Sequence, residues 1–118
     1  MLFRSSLIQH SGDMMAASGA GGINEIQYAA LLVMIARVTG KEAGVFTHFV
    51  ANEQIYDRHE ENAHELLRRA EGADENAPLP ALILHKEPGC TFEEITIDDF
   101  ELQNYEPIKP QLSFDLGI

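Results

Sequence analysis

The stretch from Ile23 to Val38 constrains the fold more than any other part of the chain, because apolar residues recur through it at helical spacing. The stripe consists of Ile26, Ala29, Ala30, Val33, Met34 and Ala36 to Val38, and Leu31, Leu32 and Ile35 extend it almost all round. A helix that is apolar on most sides is typical of a protein core. Gly40, with Arg37 and Lys41 beside it, predicts where the helix ends.

Strand-forming segments provide the surface that such a helix needs. The predicted strands are residues 2–10, 45–56, 79–84 and 111–116, with a short turn-and-strand unit at 92–97. Loops are predicted at 13–22, which is rich in glycine, and at 71–80, which carries two prolines. Strands and helices do not alternate as regularly as in a doubly wound protein. We therefore expect an α+β fold, a mixed β-sheet with the long, buried 23–38 helix packed on it, in one domain over residues 1–118.

A second helix is predicted after the strand 45–56. Asp57 is a suitable N-cap, the helix runs to Arg69, and Ala63, Leu66 and Leu67 face inward at helical spacing.

Composition excludes several classes of partner. The 118 residues carry 8 Lys and Arg against 19 Asp and Glu, a net charge of −11 that repels nucleic acid and anionic membranes. No apolar run approaches the roughly 20 residues of a membrane span, and no signal-peptide pattern is present, so a cytoplasmic location is expected.

Metal and thiol chemistry are not expected either. The five histidines do not fall into a metal-binding spacing, and His64 is misplaced for a zinc motif that begins at His59 and Glu60. Cys90 is the single cysteine, and Lys86 is the one local group that could activate it, so we expect a structural or incidental thiol.

Two polar segments are candidates for a binding site. In the run from Asn52 to His59, strand alternation buries Ile55 and puts Gln54, Tyr56 and Arg58 together on the opposite face, where they could hold a polar ligand such as a sugar. At the end of the first strand, the residues Gln9 to Asp13 provide an imidazole, a hydroxyl and a carboxylate. They form either a ligand-binding edge or a turn in which Ser and Asp bond local backbone.

Asn24, at the start of the long helix, also has two interpretations. It could be an ordinary N-cap. Its amide also offers a donor and an acceptor, which match the O4 and N3–H edge of uracil, whereas cytosine presents the opposite pattern.

These segments occur in the order of a known family. Residues 7–13 (LIQHSGD) resemble the Q-R-S-x-D strand end of thymidylate synthases, residues 24–31 (NEIQYAAL) resemble the F-N-x-x-x-Y-A-L-L helix start, and residues 52–59 resemble G-D-x-H-x-Y-x-N-H. Residues 79–82, 97–100 and 105–107 follow in the same order. The chain is similar to the C-terminal part of these enzymes along nearly its full length.

The resemblance implies a pocket for dUMP and folate. It assigns the phosphate to His10 and Ser11, the uracil to Asn24, and the deoxyribose to Gln54 and Tyr56. It assigns folate to Asp13 and to the C-terminal Ile118, with 5,10-methylenetetrahydrofolate as cosubstrate and no metal. It also implies a homo-oligomer, or a complementing N-terminal half, as the protein partner.

The departures from the family pattern bear on activity. His10 replaces an arginine, so phosphate affinity should fall because histidine is only partly charged near neutral pH. Gln54 replaces a histidine, and Asn52 and Arg58 replace an aspartate and an asparagine. The family's P-C-H nucleophile lies upstream of the Q-R-S strand, so we expect this chain alone to be inactive.

Three hypotheses follow. The chain is the C-terminal region of a thymidylate synthase that acts within a longer or complemented protein, or it is a truncated relative that serves as a nucleotide-binding or protein-interaction module. The third is an unrelated α+β binding domain.

Overall fold

The computed structural model describes residues 1–16 and 22–115, so part of the predicted glycine-rich loop and the predicted folate residue Ile118 lie outside the described residues. The strands are β1 (Leu2–Gln9), β2 (Gly12–Asp13), β3 (Glu42–Val50), β4 (Glu53–Gln54), β5 (Ala81–Leu84) and β6 (Phe100–Gln103). The helices are α1 (Ile23–Val38) and α2 (Glu60–Glu71), with 3-10 turns at Asp57–His59, Phe92–Glu94 and Ile97–Asp99. The α+β class is confirmed, with the sheet divided into two-stranded pieces.

The centre of the molecule is a crossover unit in which α1 connects the parallel strands β1 and β3. The register runs from Leu2 opposite Glu42 to Gln9 opposite Val50. Parallel strands need such a long connection, and α1 packs on one face of the pair. The burial of α1 is concentrated on that side, where Leu32 and Ala36 are buried. Ile26 and Leu31 are 62% and 37% exposed, so the burial expected for most sides of this helix is wrong for these residues.

Gly40 ends α1 as predicted. It adopts φ +64°, its N–H donates to the Arg37 carbonyl at 3.1 Å, and the Lys41 N–H donates to the Ala36 carbonyl at 2.8 Å. This is the Schellman arrangement, which satisfies carbonyls at a helix end. The Arg37 guanidinium donates to the Leu84 carbonyl at 3.2 Å and so ties the end of α1 to β5.

The strand predicted at 45–56 is too long. β3 ends at Val50 because its partner β1 ends at Gln9, and the pairing resumes only in the short contact of β2 with β4. Ile55 is 49% exposed, so its predicted burial is wrong.

The predicted start of the second helix is also wrong. Asp57 opens a 3-10 turn, and α2 begins three residues later with no side-chain cap among the described residues. Leu67 is 63% exposed, whereas Ala63 and Leu66 are half-buried as expected.

The C-terminal part differs most from expectation. Residues 111–115, which lie within the described ranges, form no strand; β5 pairs instead with the antiparallel β6. The turn-and-strand unit predicted at 92–97 consists of 3-10 turns, each held by a capping box, Thr91 with Glu94 and Thr96 with Asp99. In the described ranges, no helix is both long and apolar enough to cross a membrane.

Candidate functional site

The two polar segments singled out in the sequence meet at the carboxyl ends of β1 and β3. β2 and β4 pair in parallel there, with Asp13 opposite Gln54. The Gly12 N–H donates to the Asn52 carbonyl at 3.2 Å, and the Met14 N–H donates to the Gln54 carbonyl at 2.8 Å. Residues about 40 positions apart in the chain therefore form one edge, as expected where parallel strands end together.

A hydrogen-bonded chain of side chains lies beside this edge and connects β1, α1 and β3. Asn24 Nδ2 donates to Gln9 Oε1 at 3.0 Å, and His48 Nε2 lies 3.1 Å from the same oxygen. His48 Nδ1 lies 2.8 Å from Glu25 Oε1. Asn24 is thus held by Gln9 rather than serving as a simple cap, and the residue at the N-cap position of α1 is Gly22.

Sequence reasoning missed His48. The signal was its place in β3, where alternation puts a titratable side chain on the covered face together with Phe46. A histidine at such a position needs polar partners, and the partners come from other elements.

His59 is a second histidine whose position the sequence did not reveal. Its side chain is 1% exposed, its Nε2 lies 3.0 Å from the Asp115 carbonyl, and its ring contacts those of Tyr56 and Phe114 at centroid distances of 5.5 and 5.2 Å. His59 Nδ1 lies 3.6 Å from Asp13 Oδ1 and makes no hydrogen bond within the described residues. The buried ring therefore lies between the predicted folate residue Asp13 and the chain near its C-terminus.

Side chains of α2 hold that C-terminal segment through its backbone. Arg69 Nη1 donates to the carbonyls of Ile108 and Pro110 at 3.1 and 2.9 Å, and Asn62 donates to the Ser113 carbonyl at 2.8 Å. Arg69 Nε also donates to Glu65, and this hydrogen bond is the main reason why the pKa of Glu65 lies below its ordinary value. Residues 108–115 form a strap, defined as the segment bound to α2 by these contacts and by His59.

The predicted site residues differ in exposure. His10, Ser11, Gln54 and Tyr56 are exposed, Asp13 and Asn24 are half-buried, and Ile118 lies outside the described residues. Gln54, Tyr56 and Arg58 line one open groove with their intervening residues, although strand alternation is not the reason. The structure brings Asp13 to Gln54 through strand pairing and Asn24 to Gln9 through the side-chain amides.

Cys90 lies far from this edge. The neighbouring Gly89 N–H donates to the Arg37 carbonyl at 2.8 Å, near the end of α1, whereas Asn24 begins that helix. At 1.5 Å per residue, the two ends of this part of α1 are about 20 Å apart. Among the residues that the structure describes, no group of His, Cys, Asp and Glu side chains could hold a metal ion.

The parallel crossover defines an α+β protein with a polar edge at the carboxyl ends of its strands, the place where such sheets commonly bind small ligands. Comparison with protein families matches residues 2–118 to the family described as thymidylate synthase. The chain belongs to the thymidylate synthase family.

Individual relatives agree with this assignment. Thymidylate synthases of Streptococcus pyogenes serotype M5 (strain Manfredo) and serotype M12 (strain MGAS2096) are each 46% identical over 114 residues, covering 97% of this chain and 38% of theirs. Among solved structures, a thermostable thymidylate synthase A from Bacillus subtilis matches with a TM-score of 0.73 and 32% identity, over 96% of this chain and 37% of that one. The chain thus spans a little over a third of the length of these relatives.

Proposed function

We propose that this chain forms part of the dUMP and folate pocket of a thymidylate synthase, the enzyme that converts dUMP to dTMP with methylenetetrahydrofolate. One observation carries the proposal. The pairing of Asp13 with Gln54, together with the hydrogen bond from Asn24 to Gln9, gathers at one edge segments that the family resemblance assigns to a single pocket.

The chemistry of each group fits its assigned ligand part. Ser11 and His10 offer a hydroxyl and an imidazole for the phosphate, and both are exposed. Gln54 and Tyr56 lie in the open groove and can bond the deoxyribose hydroxyl. Asn24 has one N–H and its Oδ1 available for the pyrimidine, because the other N–H donates to Gln9 Oε1.

Asp13 fits a folate cosubstrate. Its Oδ1 accepts a hydrogen bond from the Met15 N–H at 2.9 Å, which fixes the carboxylate, and a carboxylate can accept N–H donors of a pterin ring. Methylenetetrahydrofolate, when bound, supplies the one-carbon unit and the reducing hydride. Ile118 is included in the folate assignment on the family resemblance. The proposal also includes a cytoplasmic location and a protein partner that is either a second copy or a complementing N-terminal half.

The test is dUMP binding by titration calorimetry, compared with binding of deoxyuridine, which lacks the phosphate. Replacing His10 by Arg should strengthen dUMP binding about tenfold or more, since a permanent, bidentate cation replaces a partly charged ring. Deoxyuridine binding should not change. His64→Arg makes the same chemical change at a 69% exposed position on α2 and should have no effect on either ligand.

Failure to bind dUMP in every variant, or equal gains from His10→Arg and His64→Arg, would overturn the assignment of the phosphate site.

The alternative function, a nucleotide-binding or interaction module without catalysis, is favoured by the position of Cys90 near the far end of α1. Binding of dUMP without turnover, in the presence of both the folate and a complementing N-terminal half, would support that alternative.

A further inference from the structure

Glu25, His48, Gln9 and Asn24 form a hydrogen-bonded series in which the donor and the acceptor of each bond can be assigned. Gln9 Nε2 donates to the Ser11 carbonyl at 2.8 Å, and a carbonyl can only accept, so the amide of Gln9 cannot be reversed without losing this bond. Gln9 Oε1 therefore faces both Asn24 and His48 as an acceptor.

His48 lies between two acceptors. Its Nε2 lies 3.1 Å from Gln9 Oε1 and its Nδ1 lies 2.8 Å from the Glu25 carboxylate, so hydrogen bonds at both contacts require a proton on each ring nitrogen. The side chain of His48 is 9% exposed, and Glu25 provides the opposite charge that a doubly protonated ring at such a position needs. The Phe46 ring stacks on the imidazole at a centroid distance of 6.3 Å.

The orientation of Gln9 determines the orientation of the Asn24 amide. Its Nδ2 donates inward to Gln9, which leaves the second N–H and Oδ1 to face a ligand. Those two groups match the O4 acceptor and N3–H donor of uracil. Cytosine would require the amide to be reversed, which would set Asn24 Oδ1 against Gln9 Oε1, two acceptors in contact.

We propose that His48 and Glu25 are positioning residues that set the direction of this hydrogen-bond chain and thereby select a uracil over a cytosine nucleotide at Asn24. This inference rests on the proposed nucleotide site. If His48 lost its Nε2 proton, that nitrogen would become an acceptor, Gln9 would turn to donate to it, and Asn24 would turn to match. The discrimination between the two pyrimidines would then fall or reverse.

The first test does not depend on nucleotide binding. Nitrogen NMR of the isotopically labelled chain at neutral pH reports whether each ring nitrogen of His48 carries a proton. We expect both to be protonated in the wild type and one proton to be lost in Glu25→Gln. A neutral His48 ring in the wild type, with an unprotonated nitrogen resonance, would overturn the proposal even if the chain binds nucleotides.

The second test measures the ratio of affinities for dUMP and dCMP by calorimetry. His48→Phe removes both donors and should reduce the preference for dUMP by about tenfold or more, the scale of one hydrogen bond to a charged donor. Glu25→Gln should also reduce the preference for dUMP over dCMP. His48→Gln, which can still donate to Gln9, should retain most of the preference.

A matched control separates positioning from packing. Phe46→Leu alters the ring contact with His48 but none of the hydrogen bonds, so the dUMP to dCMP ratio should stay at the wild-type value. Deoxyribose 5-phosphate, which has no base, should bind all variants equally. An unchanged ratio in both His48→Phe and Glu25→Gln would refute the positioning role. Absence of dUMP binding in the wild type would refute the proposed function and, with it, the selection of uracil at Asn24. The protonation measurement would still show whether His48 donates to both Gln9 and Glu25.

Discussion

Asp99 is a residue whose ionisation directly supports local structure. Its carboxylate accepts hydrogen bonds from the Thr96 N–H and hydroxyl at 2.7 and 3.0 Å, and the Lys86 ammonium lies 3.1 Å away. The bond from the Thr96 N–H lowers the pKa of Asp99 below its ordinary value, and Lys86 adds to the shift against the opposing effect of burial. Because the folded-state pKa is the lower one, the stabilisation is fully present above the unfolded value and is lost as pH falls through the folded value.

We predict that Asp99→Ala lowers the urea midpoint at neutral pH, and that its difference from wild type shrinks as the pH falls through the ordinary range of Asp, below about pH 4. Asp98→Ala is the matched control, since the capping bonds go to Asp99. A difference between Asp99→Ala and wild type that stays constant down to low pH would show that the carboxylate charge is not responsible.

The ends of helices are where single glycines matter. Gly40 adopts φ +64° with open space around its Cα, whereas Gly72, after α2, has an ordinary φ of −95°. We predict that Gly40→Ala lowers the free energy of unfolding by about 1 kcal/mol, the cost of a left-handed conformation for a residue with a Cβ. Gly72→Ala should be neutral within about 0.5 kcal/mol, and denaturant unfolding of both variants checks the difference. Equal effects would mean that backbone strain does not govern the end of α1.

Two adjacent arginines on α2 differ in their contacts with the strap of residues 108–115. Arg69 is 14% exposed and bonds the carbonyls of Ile108 and Pro110, whereas Arg68 is 71% exposed and pairs with Glu65 on the helix surface. We predict that Arg69→Met speeds limited proteolysis of the strap by chymotrypsin about tenfold or more, since hydrogen bonds from a charged donor are among the stronger ones. Arg68→Met should leave the cleavage rate almost unchanged, because exposed ion pairs contribute little. Comparable cleavage rates in the two variants would show that Arg69 does not hold the strap.

The elements that the sequence predicted correctly are those determined by residues close together in the chain. α1 was predicted over its observed residues because its periodic pattern and Gly40 are local signals. β6 was missed although Phe100–Gln103 alternates apolar and polar residues, because this signal is only four residues long and the partner strand β5 is about 20 residues away. The same holds for the site. The segments that carry Asp13 and Gln54 meet at one edge as their strand positions indicate, but His48 and His59 make their contacts with residues 23 to 56 positions away in the chain.

One face of the central sheet gives the whole molecule an uncovered apolar surface. Alternation in β1 and β3 turns Phe46 toward α1 and leaves Ile8, Val45 and Phe49 on the opposite face, 78%, 63% and 63% exposed. Ile8 and Phe49 are register partners, so they form a continuous patch. Monomeric proteins rarely leave such patches in water. We expect a second copy of the chain to cover it, as the face-to-face packing of sheets in the family dimer implies.

We predict that the chain self-associates through this face and that Phe49→Asp shifts it to monomer in sedimentation. Leu67→Asp is a closely matched control, because Leu67 is also 63% exposed but lies on α2. The wild-type melting temperature should rise with protein concentration, since association stabilises the folded state by mass action. Because each copy carries a net charge of −11, added salt should strengthen association by screening the repulsion. A wild-type monomer up to millimolar concentration, or equal dissociation by Phe49→Asp and Leu67→Asp, would show that the sheet face is not the interface.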